Sequence, residues 1–373
     1  MPTRQDRTPK LCLIGNCLSS GGAEKVHAVL SLYFALKGIE VHNIILHDRV
    51  KYEYSGELLN LGTERTDANG LRNKLNRLRV LGRFFREHKF DYIIDFRYKE
   101  HQYQELFFTR FIFNAPYITI VHSYLTGMYF PRNRALAKMI FRKAYAVVAV
   151  SKAIKERIET LYGYKNVTAL YNPVEVNKIQ QMASEAIPFN FPFVIGAGRM
   201  AADNIKQFDV MMECYSRSAL RKAGIKLVLV GDGPQRPYLE GLAIEMGIAD
   251  DVVFTGFTDN PFAYMSKALF LMLTSKNEGF PNVITEAFAC GTPVVSYDCQ
   301  SGPSEVVAQE KNGLLVPDQD TQAFRDAMNR MYKDKALYDT CKSNTLATAE
   351  KFATEAIGAQ WLAFLNLGPK DKP

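Results

Sequence analysis

The sequence predicts an α/β protein of two Rossmann-like, doubly wound domains, and three observations carry that expectation. Apolar strand-like runs alternate with amphipathic helical runs along nearly the whole chain, the alternation runs through two successive series, and 373 residues exceed what one hydrophobic core usually serves. In the first series LCLIGNC reads as a strand and GGAEKVHAVLSLYFALKG as a helix closed by Gly38. VHNIILH is the next strand, LRNKLNRLRVLGRFFREHKF a basic helix, and DYIIDF, APYITIVHS and AVVAVS are further strands. The second series follows YNPVEVNKI: strand FPFVIGAGR, helix KQFDVMMECYSRSAL, strand IKLVLVGDG, helix QRPYLEGLAIEMG and strand DVVFTGF. It continues through strand ALFLMLTS, a helix from Asn282 to Cys290 ending at Gly291, strands PVVSYD and GLLVP, and C-terminal helices. The expected domains are 1–180 and 181–351, with a linker near 171–188 and a last helix at about 352–368 around Trp361. Open parallel sheets bind ligands beyond the carboxyl ends of their strands, so two such domains imply a central cleft.

Composition narrows the function. A hydrophobic share of 47% with 12% aromatic residues supplies packed cores and excludes a disordered chain. The opening MPTRQDRTPK has no apolar stretch of the signal-peptide kind, and no window reaches a membrane span, so the expected location is cytoplasmic. Cys12, Cys17, Cys214, Cys290, Cys299 and Cys341 lack the paired spacing of a zinc site or redox dithiol and read as reduced and mostly buried. Residues 1–185 hold 28 Lys+Arg against 17 Asp+Glu, whereas the remainder holds 18 against 22, so the basic excess belongs to one half. Much of it lies where Leu71, Leu75, Leu78, Leu81 and Phe85 recur at helical spacing among Arg72, Lys74, Arg77, Arg79, Arg83, Arg86 and Lys89. Such a helix suits the anionic inner face of a membrane, and equally an outer helix packing its leucines on the sheet with a solvated basic face.

The most specific run is SKNEGFPNVITEAFACGTPVV, with Glu278 and Glu286 separated by seven residues. Glu278 falls on a strand-to-helix loop and Glu286 on the helix. At a rise of ~1.5 Å per residue they stand roughly 12 Å apart along the axis, the reach of a sugar nucleotide rather than of one small group. Between them Gly279, Phe280, Asn282 and Val283 bring backbone N–H groups of a helix start toward an anion, a setting that suits phosphate.

With these residues the chain resembles the retaining GT-B glycosyltransferases marked by an E-x7-E motif (group 1, family 4-like), and the likeness extends over nearly its whole length. The resemblance implies a GT-B fold, with an acceptor-binding first domain, a donor-binding second domain and a C-terminal helix crossing back onto the first. It implies that Glu278 contacts donor-sugar hydroxyls and Glu286 the ribose. Arg199, in GAGRM after a strand, and Lys206 are similar to the family's pair of cations on the donor diphosphate, although MAADNI between them is two residues longer than the family spacing. Fixed cations in a water-poor site stabilise the charge that grows on the leaving diphosphate, so no metal is required. His122, ending ITIVHS, is similar to a strand-end histidine that contacts the donor sugar. Gly21 and Gly22 in SSGGAEK are similar to a first-domain loop that approaches phosphate or the attacking hydroxyl. VLVGDGP with Gly233, and FTGF with Thr255 and Phe257, resemble loops around the base; SGPSEVV resembles a segment near the donor phosphates. Asp318-Gln-Asp320 has the D-x-D spacing of a metal motif, but it precedes TQAFRDAM, where Asp320 reads as a helix N-cap.

The implied activity is transfer of a hexose or N-acetylhexosamine from a nucleotide sugar, a UDP-sugar, to a lipid-linked or polysaccharide acceptor, with no nucleic-acid partner. The rivals are a GT-B sugar-nucleotide epimerase or phosphorylase, and a non-catalytic sugar-nucleotide-binding subunit. The phosphorylase would need a pyridoxal lysine, for which the sequence has no signature.

Overall fold

The computed structural model describes residues 7–19, 21–64, 70–99 and 101–367; the opening MPTRQD, Ser20, the side chain of Leu71 and the last residues lie outside them. The chain divides into two units, Met1–Pro173 with Thr354–Pro373, and Val174–Ala353.

The first unit is a parallel sheet with the order β3-β2-β1-β4-β5-β6-β7. Its strands are β1 (Lys10–Gly15), β2 (Glu40–Ile45), β3 (Glu57–Asn60), β4 (Tyr92–Asp95), β5 (Tyr117–Val121), β6 (Ala144–Ala149) and β7 (Val167–Ala169). Between them run α1 (Gly22–Leu36), α2 (Gly70–Glu87), α3 (Gln102–Phe107) with a π-helical turn at Phe108–Ile112, α4 (Arg134–Phe141) and α5 (Lys152–Tyr162). Central strands are long, buried apolar runs, so their register follows from burial on both faces. The two edge strands escaped the sequence reading because ELLN and VTA are short and partly polar. Helix α2 turns Leu81 and Phe85 into the core while Arg72, Lys74, Arg79, Arg83, Arg86 and Lys89 stay exposed, and Arg77 donates to the Leu46 carbonyl at 2.8 Å. Over its C-terminal half, where Val80 and Phe84 join Leu81 and Phe85, the apolar face is ordinary packing, whereas Leu75 is 46% exposed.

The second unit has the order β10-β9-β8-β11-β12-β13, again all parallel. Its strands are β8 (Phe193–Ala197), β9 (Lys226–Val230), β10 (Val252–Gly256), β11 (Leu271–Leu273), β12 (Val294–Tyr297) and β13 (Gly313–Val316). Its helices are α6 (Val176–Ala183), α7 (Phe208–Ser216), α8 (Ala219–Lys222), α9 (Arg236–Glu245), α10 (Phe262–Met265), α11 (Asn282–Ala289), α12 (Pro303–Val306), α13 (Thr321–Lys333), α14 (Lys335–Ser343) and α15 (Thr345–Ala349). The helix expected over KQFDVMMECYSRSAL is two pieces, because Ser216 and Ser218 turn their hydroxyls onto the carbonyls of Glu213 and Tyr215 and end α7.

The expected boundary at 180/181 needs correcting, since it cuts α6. That helix packs on α10 and α11, and Asn260 Nδ2 and Ser266 Oγ donate to the Met182 and Ala183 carbonyls, each at 2.9 Å. The last helix, α16 (Thr354–Phe364), belongs to the first unit: Trp361 meets Phe34 of α1 edge-on at 6.5 Å, and Gly358 lies so close to Tyr33 that a Cβ would fall 2.3 Å from its ring. No described helix is long and apolar enough to cross a membrane. All six cysteines are free thiols.

Candidate functional site

In each sheet the strand order reverses between neighbours whose connections leave in opposite directions, at β1/β4 in the first and β8/β11 in the second. Such a switch point opens a crevice at the strand carboxyl ends. In the second unit, Arg199 follows β8, and Glu278 follows β11.

Lys206 and Glu278 meet there directly, with Nζ to Oε1 at 2.6 Å. The longer loop leaves the lysine beside Glu278, where the end of β11 holds it. Thr274 Oγ1 donates to the carbonyls of Lys206 and Gln207 at 3.0 Å each, and the Lys276 amide donates to the Ile205 carbonyl at 2.8 Å. The two added residues are absorbed in a folded-back turn, with Asn204 and Gln207 in the left-handed region and Asn204 Nδ2 donating to Asp209 at 3.0 Å. Arg199 is exposed and forms no ion pair among the described residues.

Glu278 is fixed through its backbone: its amide donates to the Gln300 carbonyl at 2.9 Å, and the Ser301 amide donates back to Glu278 at 3.1 Å. The SGPSE segment thus braces the glutamate. Among the described residues the amides of Gly279 and Val283 make no hydrogen bond, whereas that of Asn282 donates to Phe280. Glu286 stands in the second turn of α11, half-buried. Because α11 begins only at Asn282, the helical rise applies to half of the path between the two glutamates. The 12 Å axial estimate does not hold.

Neighbouring loops are pressed together. Gly231 has φ +136° and sits where a Cβ would fall 2.0 Å from the Gly198 carbonyl oxygen; Gly233 has φ +154° and its Cβ would fall 2.3 Å from the Met200 carbonyl oxygen. Side chains cannot enter there, so β9 and its loop lie against the Arg199 turn. Thr255 spends its hydroxyl on the Gly256 carbonyl at 3.0 Å, leaving Phe257, 66% exposed, as the outward group of that loop. Asp320 caps α13 through the Ala323 amide at 2.9 Å.

In the first unit Gly21, with φ +135°, precedes Gly22, the first residue of α1. His122 follows β5. Both its ring nitrogens are buried without a hydrogen-bond partner among the described residues, its ring stacks on Phe96, and burial lowers its pKa to about 3, so the imidazole is neutral. Phe96 stacks in turn on His27, whose pKa burial lowers to about 4. Asp95, Arg97, Lys99 and Glu105 form a buried ion quartet beside this stack; Asp95 is held at about 2 by the two cations against the opposing effect of burial. The sequence reading missed the stack, the quartet, and Ser275, whose buried hydroxyl has no partner among the described residues. No spacing signal marks any of them. Among the described residues, one group could approach a metal, His42, Glu57 and His88, with ligand atoms within 4.8 Å; it sits at the β2/β3 edge, apart from the residues above.

Parallel units with these switch points, carrying paired cations and a glutamate at a strand end, define a class that the comparisons identify. Residues 20–178 match the family model described as Glycosyltransferase Family 4, and residues 192–334 that described as Glycosyl transferases group 1. The chain is a glycosyltransferase with the GT-B fold. It is 28% identical over 371 residues to the N-acetylgalactosamine-N,N'-diacetylbacillosaminyl-diphospho-undecaprenol 4-alpha-N-acetylgalactosaminyltransferase of Campylobacter jejuni, covering 95% of this chain and 99% of that one. It is 29% identical to the lipopolysaccharide 1,6-galactosyltransferase of Escherichia coli over 49% of this chain and 51% of that protein. In fold it matches HepE of Anabaena in complex with UDP-glucose, with a TM-score of 0.77 at 20% identity over 96% of this chain and 99% of that one.

Proposed function

We propose that the protein is a retaining, metal-independent glycosyltransferase that moves a hexose or N-acetylhexosamine from a UDP-sugar to a lipid-linked or polysaccharide acceptor. The observation that carries this reading is the Lys206–Glu278 pair at the second unit's switch point, with Arg199 on the adjacent strand end. The names of the relatives, which act on diphospho-undecaprenol-linked and lipopolysaccharide acceptors, and the UDP-glucose held by HepE support the substrate class.

In this reading Arg199, Lys206 and the amides of Gly279 and Val283 meet the diphosphate, whose charge rises as the glycosidic bond breaks. Preorganised cations and dipoles lower that barrier without solvent reorganisation. Glu278 accepts hydroxyls of the donor sugar and orients Lys206, Glu286 holds the ribose, and Phe280 and Asn282 shape the turn between them. Gly233, Thr255 and Phe257 surround the base. His122, kept neutral by burial, offers its unpartnered nitrogens to a sugar hydroxyl, and Gly21 and Gly22 let the backbone approach phosphate or the attacking hydroxyl. The acceptor hydroxyl attacks from the face that the diphosphate leaves, and its proton passes to the departing phosphate oxygen. The chain's work is position and charge. The exposed cations of α2 favour peripheral contact with an anionic inner membrane face.

Thermal shift across UDP-, GDP- and ADP-sugars tests the donor. A ligand at a hundred times its dissociation constant stabilises by about 2.7 kcal/mol, so UDP-sugars should raise the Tm by several degrees. A larger shift with GDP- or ADP-sugars would overturn the UDP assignment.

A further inference from the structure

Residues 102–112 form one helical run, α3 and the π-helical turn, whose inner face sets a buried acid and hydroxyl beside Phe108 and Ile112 on the core, and whose outer face is aromatic. The buried side chains are Glu105 and Thr109, with the Glu105 carboxylate held by Arg97 at 3.2 Å and by Lys99 at 3.3 Å inside the ion quartet. The outward side carries rings: Tyr103 is 80% exposed, Phe107 40% and Phe111 76%, spaced four apart, with Phe107 and Phe111 in contact at 5.4 Å. A buried, fully paired carboxylate pins this orientation, since turning the helix would strand two cations. Large exposed rings on one face mark a docking surface.

Charge identifies what docks. Helix α4 packs beside α3, tied by Arg110 Nη2 donating to the Met139 carbonyl at 3.2 Å, and exposes Met139 with Arg134 and Lys138; Arg132, Arg142 and Lys143 are exposed at its ends. Between residues 101 and 143 there are six Lys or Arg and a single carboxylate, the buried Glu105. A second copy of this face would be repelled, whereas an anionic bilayer offers negative charge and an apolar layer together. Helix α2 offers less to such a layer, because it spends Leu81 and Phe85 on the core and Leu75 is its one large exposed apolar side chain among the described residues. The C-terminal end of α2, with Arg86 and Lys89 exposed, lies beside the π-helical turn, where Asn114 donates to the His88 carbonyl at 2.8 Å, and extends the basic field.

We propose that Tyr103, Phe107 and Phe111, flanked by the cations of α4, are the face that lies in an anionic membrane, with the rings at headgroup level. This rests on the proposed membrane-linked acceptor and names the surface that reaches it.

The full chain is tested with phosphatidylglycerol vesicles against phosphatidylcholine vesicles. The native Trp361 is only 2% exposed, so Phe111→Trp and Tyr103→Trp report the surface alone. Both should shift to the blue and be quenched by brominated acyl chains on anionic vesicles only. Arg134→Glu with Lys138→Glu and Arg142→Glu should weaken partition by on the order of a hundredfold, at roughly fivefold per cation. Phe107→Ser with Phe111→Ser should lose vesicle binding yet keep transfer to a short-chain soluble acceptor. If the wild type sediments with anionic vesicles while both probes stay silent, another face docks and the proposal falls, with the membrane reading intact. If Phe111 instead drives self-association the face falls, and if the wild type does not bind anionic vesicles both the face and the membrane reading fall. Sugar transfer in solution, measured in the same preparations, stands apart from either result.

Discussion

Replacing Lys206 with alanine should damage the empty protein and the donor complex together, and Arg199→Ala only the complex. At 2.6 Å the Lys206–Glu278 attraction is about 6 kcal/mol in a near-surface medium before desolvation is subtracted. The lysine side chain is 25% exposed and the glutamate 12%, between the exposed pairs that contribute up to about 1 kcal/mol and the buried pairs whose breakage costs about 3–5. A net loss of about 1–2 kcal/mol follows for Lys206→Ala, a drop of about 2–8 °C for a unit of this size. Arg199 has no ion pair among the described residues, so Arg199→Ala should move the Tm by less than about 2 °C. Each variant should weaken UDP binding by one to two orders of magnitude, the worth of a charge-assisted hydrogen bond. Differential scanning fluorimetry and calorimetry with UDP read both quantities. Wild-type UDP affinity in either variant would remove that residue from the diphosphate site. An unchanged Tm in Lys206→Ala would refute the energetics of the pair.

The glutamates should separate: Glu286→Ala should lose affinity for free UDP, and Glu278→Ala should keep UDP binding but lose transfer, while two variants that bind UDP as wild type does would end the long-ligand reading. Acid should destabilise the first unit through His27 and His122, whose folded pKa values lie at about 4 and 3, below the ordinary 6.5. Their stabilisation is complete above pH 6.5 and is lost as pH falls toward 4, at about 1.4 kcal/mol per pH unit for each, so His122→Gln should roughly halve the slope in denaturant titrations between pH 6.5 and 4.5. Gly231→Ala should lower stability by more than about 2 kcal/mol and disturb UDP binding, since its Cβ would strike the Gly198 carbonyl; Gly241→Ala, in the open interior of α9, should stabilise by about 0.5–1 kcal/mol, as thermal melts would show.

The sheets were legible because their central strands are buried apolar runs with glycine-rich turns between them, a local signal. ELLN and VTA lacked that signal, being edge strands held by one neighbour each. The neighbourhood of Glu278 was legible through its motif, but the position of Lys206 was not: hydrogen bonds from Thr274 and Lys276 fix it, and spacing along the chain cannot reveal bonds across 68 or more residues. The span from Glu278 to Glu286 is helical only from Asn282 on, so no regular rise along the sequence measures it. Periodicity would also assign Tyr103, Phe107 and Phe111 to the core. The ion quartet, with Phe108 and Ile112 on the core, shows that Glu105 faces inward and the three rings outward.

The most direct test of glycosyl transfer is a mass-resolved assay with a UDP-sugar, a polyprenyl-diphosphate-linked acceptor and EDTA. The account predicts acceptor heavier by one hexose or N-acetylhexosamine, UDP released in equal amount, retention of the donor's anomeric configuration by NMR, and undiminished turnover in the chelator. Epimerised donor without product, inverted linkage, or activity abolished by EDTA and restored by manganese or magnesium would contradict it.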